Sequence, residues 1–501
     1  MALVNAMSAT PMEEQADVVV VGGGPGGSTL ATLVAMRGHQ VVLLEKEKFP
    51  RWQIGESLLP STVHGVCRLT GVADELAKAG FTKKRGGTQR WGANPAPWTF
   101  AFSVSPKMAG ETSFAYQVER SKFDQILLDH ARHMGVDVRE QHAVSDVLID
   151  EDRVRGVSCT DADGNAVTIR AKYVVDASGN KSRIYQRSGA TRRYSEFFRS
   201  LALFGYYEGG KRLPEPNSGN ILSCAFDSGW FWYIPLTPTL TSVGAVVRRE
   251  LASKIQGDPE EALTALIAEC PMISDYLRDA KRVTEGQYGE LRVRRDYSYA
   301  NTKFWRPGMV LIGDAACFVD PIFSSGVHLA TYGALLAARS INSVLTEAVD
   351  EETAFREFEQ RYRREFGVYY EFLVAFYDLN VNEDSYFWSA KKVTKNTSSE
   401  LQSFVELVGG VSGEAALPAT GSADHYKRRS SEFSGAVDEL VANKEQSMVP
   451  IIRSSIVKSA MQEGAREQAR VLLGPDAAPD TPLFDGGLVP SPDGLGWSMP
   501  A

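Results

Sequence analysis

The stretch D-V-V-V-V-G-G-G-P-G-G-S, Asp17 to Ser28, decides the fold. Its valines are β-branched and form a continuous apolar run, the composition of a parallel strand covered on both faces. Glycines follow at once. Gly22, Gly24 and Gly27 fit G-x-G-x-x-G, residues 26 to 37 read as a helix, and Gln40 to Leu44 read as a second strand closed by Glu45. Strand, glycine turn, helix and an acid about 20 residues further on make a dinucleotide-binding β-α-β unit, with the acid on a ribose hydroxyl. The glycines let the backbone approach a pyrophosphate, and the helix N-terminus favours its charge.

Outward from this unit, Val144 to Ala177 reads as four successive strands: V-S-D-V-L-I-D, R-V-R-G-V-S-C-T, A-V-T-I-R-A and Y-V-V-D-A. D-A-D-G-N, Asp161 to Asn165, is a hairpin turn. Arg199 to Arg249 is strand-rich, 259 to 281 helical, Gly308 to Ile312 an apolar strand, and Val327 to Leu345 a long helix. Residues 352 to 405 read as mostly helical. After about residue 409 the composition turns loop-like, 431 to 473 can form amphipathic helices, and the Pro- and Gly-rich end from Gly474 is expected to be irregular or disordered.

The 501 residues carry a formal net charge of -8, with 43% hydrophobic and 23% charged residues, as in an ordinary globular protein of two or three domains. The basic clusters are short, so no nucleic-acid or anionic-membrane partner is expected. Five scattered cysteines without metal spacing suggest free thiols in a reducing compartment. With no basic-apolar leader and no apolar run of membrane length, a cytoplasmic enzyme is expected, and no metal.

Two further segments each end a strand in an acid: V-V-D-A-S-G-N-K-S-R (Val174 to Arg183) and G-M-V-L-I-G-D-A-A-C (Gly308 to Cys317). Together with the glycine turn, and in this order, they resemble the FAD-binding fold of the flavin monooxygenases. The resemblance implies that Asp314, after Gly313, hydrogen-bonds the ribityl chain of FAD. It also implies that Arg120, in Q-V-E-R-S-K-F-D, flanks the flavin. F-P-R-W-Q-I-G-E-S-L-L-P, Phe49 to Pro60, is similar to a segment of the flavin-dependent halogenases, and prenyl-lipid reductases carry a similar G-E-S. Arg51 is there a candidate for the flavin phosphates or ring, or else a surface arginine.

W-F-W-Y-I-P, Trp230 to Pro235, matches the W-x-W-x-I-P that sets flavin-dependent halogenases apart from flavin hydroxylases. F-V-D-P-I-F-S-S-G, Phe318 to Gly326, matches a second halogenase pattern, F-x-x-P-x-x-S-x-G. The resemblance spans roughly residues 15 to 400 and is strongest for the branch acting on phenols or pyrroles, often on a carrier protein. It implies chlorination through a flavin C4a-hydroperoxide, hypochlorous acid and a lysine. Trp230 and Trp232 would wall the flavin off from the aromatic substrate, although core packing alone also accounts for an aromatic strand. Phe318 and Pro321 would shape the flavin-facing wall. The amides of Ser325 and Gly326, before a helix expected near Val327, would hold chloride.

For the lysine, F-T-K-K-R-G-G-T offers Lys83 and Lys84. Strand alternation lets one of them face inward, and similar phenolic halogenases favour Lys84. No acid is placed beside it, and no base for a phenol; His328, alone on its helix, reads as structural. The expected architecture is α/β: a discontinuous FAD-binding, Rossmann-like domain over 15–330 with interleaved substrate-sheet segments near 85–120 and 195–295, a helical segment 331–408, and a variable region 409–501 with helices and a flexible tail.

The expected activity is chlorination of a tyrosine- or β-tyrosine-like phenol on a peptidyl carrier protein, in antibiotic-type biosynthesis. Chloride and reduced FAD from a separate flavin reductase would be consumed, and a homodimer is a further expectation. An aromatic hydroxylase using NAD(P)H, a flavin-dependent saturating reductase and an inactive flavoprotein that binds a carrier protein stay open beside it.

Overall fold

The computed structural model describes residues 12–91, 96–104, 110–195, 197–295, 298–378 and 482–500. Met12–Val21 lies inside a sheet, paired in parallel with Val41–Leu44 on one side and Ala166–Asp176 on the other. Met309–Leu311 and Asp137–Arg139 extend it outward, again in parallel. Val18, Val19 and Val20 have no exposed surface, as the continuous β-branched run requires. The helices that position the site are α1 (Pro25–Ala35), α2 (Arg120–His133), α3 (Pro259–Ala268), α4 (Pro271–Tyr276), α5 (Ser325–Leu345) and α6 (Glu351–Asp378).

The expected strands A-V-T-I-R-A and Y-V-V-D-A are one uninterrupted strand, Ala166–Asp176. No turn residue separates the two runs. Its first half alternates buried and exposed side chains, where the antiparallel ribbon of Ala143–Asp150 and Arg153–Thr160 adds to the sheet; its last four residues are all buried. The hairpin turn stands where D-A-D-G-N places it. Asp161 Oδ1 accepts from the amides of Asp163 and Asn165, and Gly164 takes φ +86°.

The regions near 85–120 and 195–295 meet in a second sheet. Its order runs Lys281–Arg282, Ser200–Glu208, Leu240–Arg248, Gly229–Pro235, Ile221–Phe226, Gly86–Arg90, Trp98–Ala101. Ile221–Phe226 and Gly86–Arg90 are parallel, and the other neighbours antiparallel. Alternation along Gly229–Pro235 sends Trp230, Trp232 and Ile234 into the core shared with the first sheet. Phe231 and Tyr233 go to the other face, against Leu263 and Leu266 of α3 and Ile273 of α4. Opposite Trp232 stands Gly244, where a Cβ would lie 2.2 Å from the indole.

Residues 259–281, expected to be helical throughout, divide. Asp258 caps α3 through the amides of Glu260 and Glu261. Pro271 opens α4, because proline has no amide to continue the helix before it. Lys281–Arg282 is then a strand. The sulfurs of Cys224 and Cys270 approach to 3.4 Å under α4, and all five cysteines are free and buried.

α5 begins at Ser325, two residues ahead of the expected start, and α6 carries the helical expectation as far as Asp378. Residues 379–408 and the helices expected in 431–473 lie outside the described residues. Residues 482–500 are largely irregular, one of the two expectations for the tail, and pack against α5 and α6. Val489–Pro490 pairs with Trp497–Ser498. Trp497 is buried, donating Nε1 to Ser340 and its amide to Ser343. Arg339 and Arg361, both buried, donate to the carbonyls of Gly494 and Leu488. Helix side chains in need of acceptors fix a segment that has no apolar period of its own. Among the described residues no helix is long and apolar enough to cross a membrane.

Filling the space under Trp232 should be costly. Gly244→Val is expected to lower stability by about 1–3 kcal/mol, the range for overpacked cores, read from the urea midpoint. An unchanged midpoint would mean that the indole has room to move.

Candidate active site

The glycine turn is a tight cradle. Gly22 has φ +105°, and a Cβ there would meet Ala177 O at 2.6 Å; a Cβ on Gly27 would stand 1.9 Å from Gly22 O. Gly24 is the N-cap of α1 and brings no side chain to its amides. Glu45 is buried and accepts from the amides of Gly23 and Glu47 at 2.7 and 2.9 Å. Each oxygen so engaged keeps lone-pair capacity for a ribose hydroxyl.

Arg51 and Arg120 share one acid that the sequence reading missed. Asp124, fully buried, accepts from Arg51 Nη1 at 2.8 Å and from Arg120 Nε and Nη2 at 2.8 and 2.9 Å. Arg120 Nη1 also donates to the carbonyls of Ile54 and Gly55, so it pins the 49–60 segment to α2. Arg51 Nη2 is the nearest atom to the Cβ position of Gly24, beside the turn. The signal for Asp124 was present, since R-S-K-F-D sets Arg120 and Asp124 four apart on one helix face.

Across the turn, Gly313 has φ +58° and donates its amide to Tyr362 Oη at 3.0 Å. Asp314 accepts from Tyr299 Oη through its backbone carbonyl at 2.6 Å. Among the described residues none hydrogen-bonds the Asp314 carboxyl. Burial pushes that carboxyl above its usual range, opposed by the fields of Arg120, Arg294 and Arg192. A dry acceptor facing a glycine cradle and an uncapped helix fits FAD, with polyol hydroxyls on Asp314 and pyrophosphate at α1.

Lys84 is buried and Lys83 exposed, the alternation the strand predicts. Lys84 Nζ donates to Ser57 Oγ and Leu58 O, both at 2.9 Å, and to Ser324 Oγ at 3.1 Å. None of these is a carboxylate. Burial alone brings the amine down to about 7. Ser324 is the N-cap of α5 in the left-handed region, φ +61°, and its side chain takes the lysine instead of capping the helix. Ser325 and Gly326 are therefore the first two residues of α5. Phe318 lies over them, with a ring carbon 2.8 Å from the Cβ position of Gly326. Pro321, half-buried, accepts through its carbonyl from Ser324 N.

Trp230 and Trp232 are buried side by side, ring centroids 6.2 Å apart. Trp91 packs on Trp230 at 6.2 Å and on Phe376 at 4.6 Å, and Phe376 on Phe323 at 4.6 Å. An unbroken aromatic file thus joins the W-x-W strand to the segment before α5. Trp232 Nε1 donates to Ser242 Oγ, whereas Trp230 Nε1 is buried with no acceptor among the described residues. Pro235 ends the strand. Two other groups have partners that the sequence reading did not give them. Glu56, in G-E-S, is buried, accepts from Tyr206 Oη at 2.7 Å and is raised by burial to about 7. His328 is not alone on its helix: Ser61 and Glu365 hold its two ring nitrogens.

The fold and cradle define an FAD-binding enzyme of mixed α/β type. The chain belongs to the tryptophan halogenase family, whose model matches residues 17–110 and 103–433. It is 34% identical over 380 residues to the tryptophan 2-halogenase of Chondromyces crocatus, covering 75% of this chain and 70% of that one. It is 32% identical over 395 residues to the 1H-pyrrole-2-carbonyl-[peptidyl-carrier protein] chlorinase of Pseudomonas fluorescens, covering 73% and 84%. Among solved structures, the myxobacterial chondrochloren halogenase CndH, a variant FAD-dependent halogenase, aligns with 50% identity, TM-score 0.77, and 97% and 100% of the two chains covered. The protein is a flavin-dependent halogenase that uses FAD and a halide, with reduced flavin from a separate reductase. The hydroxylase, the saturating reductase and the inactive scaffold fall away.

A lysine that folding holds near neutrality has a pH signature. Between about 7 and the ordinary lysine range, the unfolded chain binds the proton that the native chain has released. Wild-type stability relative to Lys84→Met should therefore rise with pH from 7 to 10, with a limiting slope of about 1.4 kcal/mol per unit. Urea midpoints across that range read it, and parallel curves would place the charged amine in the fold.

Proposed function

We propose that this halogenase chlorinates a phenolic ring, tyrosine- or β-tyrosine-like, presented on a peptidyl carrier protein. The observation that carries the phenolic reading is the company of Lys84: two hydroxyls and a carbonyl, with no carboxylate beside the amine. A phenol is already activated at its ortho carbon by its own oxygen. Carrier presentation is supported by the pyrrolyl-carrier chlorinase among the relatives. Free tryptophan is the second reading, favoured by the name of the Chondromyces relative.

Bound reduced FAD, with oxygen and chloride, supplies hypochlorous acid. The roles of the chain's own residues follow from their places. Gly22, Gly24, Gly27, Glu45, Arg51, Arg120, Gly313, Asp314 and Pro321 hold the cofactor. The first amides of α5, at Ser325 and Gly326, hold chloride, since Ser324 leaves them uncapped. Trp230, Trp232, Phe318 and Pro235 keep the substrate ring from the flavin. Lys84 receives the oxidised chlorine: a neutral amine bonds to chlorine as the hydroxide of hypochlorous acid leaves with the amine proton as water.

Two outcomes test this. Purified protein with FAD, a flavin reductase, NADH, oxygen and chloride is offered tyrosine, β-tyrosine and tryptophan, free and carrier-loaded, and products are read by mass. A chlorine isotope doublet on the loaded phenols alone is expected; a doublet on free tryptophan alone would overturn the reading. Gly326→Ala, which drives a methyl toward Phe318, should raise the chloride KM with FAD still bound by its absorption spectrum, and an unchanged chloride KM would remove these amides from halide binding.

A further inference from the structure

We propose that Ser61, His328 and Glu365 form a proton relay that takes the hydroxyl proton of the phenolic substrate; the proposal rests on the phenolic reading above. His328 Nδ1 lies 3.0 Å from Ser61 Oγ and His328 Nε2 lies 2.7 Å from Glu365 Oε1. Three separate elements supply them: the helix that opens at Ser61, α5 and α6. His328 and Glu365 are 3% and 1% exposed, whereas Ser61 is only partly buried, so the line runs from the interior outward.

Direction follows from the donor inventory. Glu365 accepts, which places the ring proton on Nε2 and leaves Nδ1 as an acceptor. Ser61 must then donate its hydroxyl proton to Nδ1, and its own oxygen is left to accept from a further donor. A phenol is such a donor. Glu365 Oε2 is buried with no partner among the described residues. A carboxylate kept that poorly compensated gains most when the imidazole beside it takes a positive charge.

Position agrees with this. Lys84 joins Ser57 and Leu58 to Ser324 at the start of α5, and His328 joins Ser61 to α5 four residues later. Four residues are about 6 Å of helix rise. The chlorinating amine and the relay thus engage the same opening turn of α5, one at its N-cap and the other four residues on, so that a ring held there would turn its ortho carbon to one and its hydroxyl to the other. The other groups facing His328 are Tyr332, stacked at 5.8 Å, and Tyr369 of α6 at 5.5 Å. Burial and the Glu365 charge hold Tyr369 well above the usual phenol range, so it remains protonated.

The proton account closes. The phenol proton passes to Ser61 as the Ser61 proton passes to His328, giving phenolate and an imidazolium paired with Glu365. Phenolate attacks the chlorine on Lys84, the N–Cl bond breaks, and the proton lost from the ring carbon passes through water to the amine. The imidazolium then returns its proton through Ser61 to the product oxygen. Chlorine is reduced and ring carbon oxidised by the same two electrons.

The test compares wild type, Ser61→Ala, Ser61→Thr and His328→Gln, each checked for bound FAD. Carrier-loaded tyrosine at pH 7 is set against carrier-loaded 3-fluorotyrosine at pH 9, where the phenol ionises unaided. Ser61→Ala and His328→Gln should lose about 100-fold in kcat with tyrosine at pH 7, the low end for general base catalysis. They should recover to within about threefold with the fluorophenol at pH 9, and Ser61→Thr should keep activity throughout. Equal losses under both conditions would make the cluster a packing element and overturn the relay, as would no loss under either. A wild type that chlorinates only indole would remove the phenolic reading and the relay with it, an outcome visible before any variant is made.

Discussion

An ammonium ion withdrawn from water must find a counter-charge or give up its proton, and among the described residues none pairs with Lys84 as a counter-charge. Its three hydrogen bonds come from Ser57, Leu58 and Ser324, which lie in two segments far apart in sequence and close only after folding. That one side chain therefore joins the segment after the second strand to the start of α5, and it does so as a near-neutral amine. The same contact turns Ser324 away from capping, which leaves the opening amides of α5 for another ligand. The buried amine and the uncapped helix end are thus set by a single choice of partner at Ser324.

The parts of this arrangement that obey a period or a fixed turn geometry were legible in the sequence. Asp17 to Ser28 specified strand, cradle and helix because two of its glycines answer close approaches, Gly27 to Gly22 and Gly22 to Ala177. The alternation of Trp230 and Trp232 with Phe231 and Tyr233 sorted the two faces of the second sheet, and the same rule separated Lys83 from Lys84. What escaped depended on partners supplied from elsewhere in the chain. A lone His328 carries no sign that Ser61 and Glu365 will close on it. Residues 482–500 have the composition of a loose end, and it is hydrogen bonds donated by Arg339, Asn342 and Arg361 that hold them. The single strand Ala166–Asp176 was read as two because its burial pattern changes midway, where an antiparallel ribbon gives way to parallel neighbours.

The aromatic file answers a different demand. On the proposed reading, a barrier that passes hypochlorous acid and stops the larger substrate ring has to be continuous and stiff. Trp230, Trp91, Phe376 and Phe323 give continuity across the second sheet, the turn after Arg90, α6 and the segment before α5. Stiffness comes from below, where Trp232 occupies the space that Gly244 leaves and is tied by Nε1 to Ser242. A Trp pair on one strand face is ordinary core; the same pair tied to the segment that carries the lysine partner Ser324 is core placed at a boundary.

Burial acts on acids and bases in opposite senses, and the segment around Ser57 shows both. Glu56 is raised to about 7 and Lys84 lowered to about 7, the first turned toward Tyr206 and the second held by Ser57 one residue on. Neither needs the other's charge, since each is made neutral by loss of water. The consequence concerns the halide. A fully ionised carboxylate here would repel chloride, and a fully ionised lysine would trap it away from the helix amides. With both groups brought close to pH 7, each is only partly ionised there, and the uncapped end of α5 adds a positive field that depends on no titrating proton.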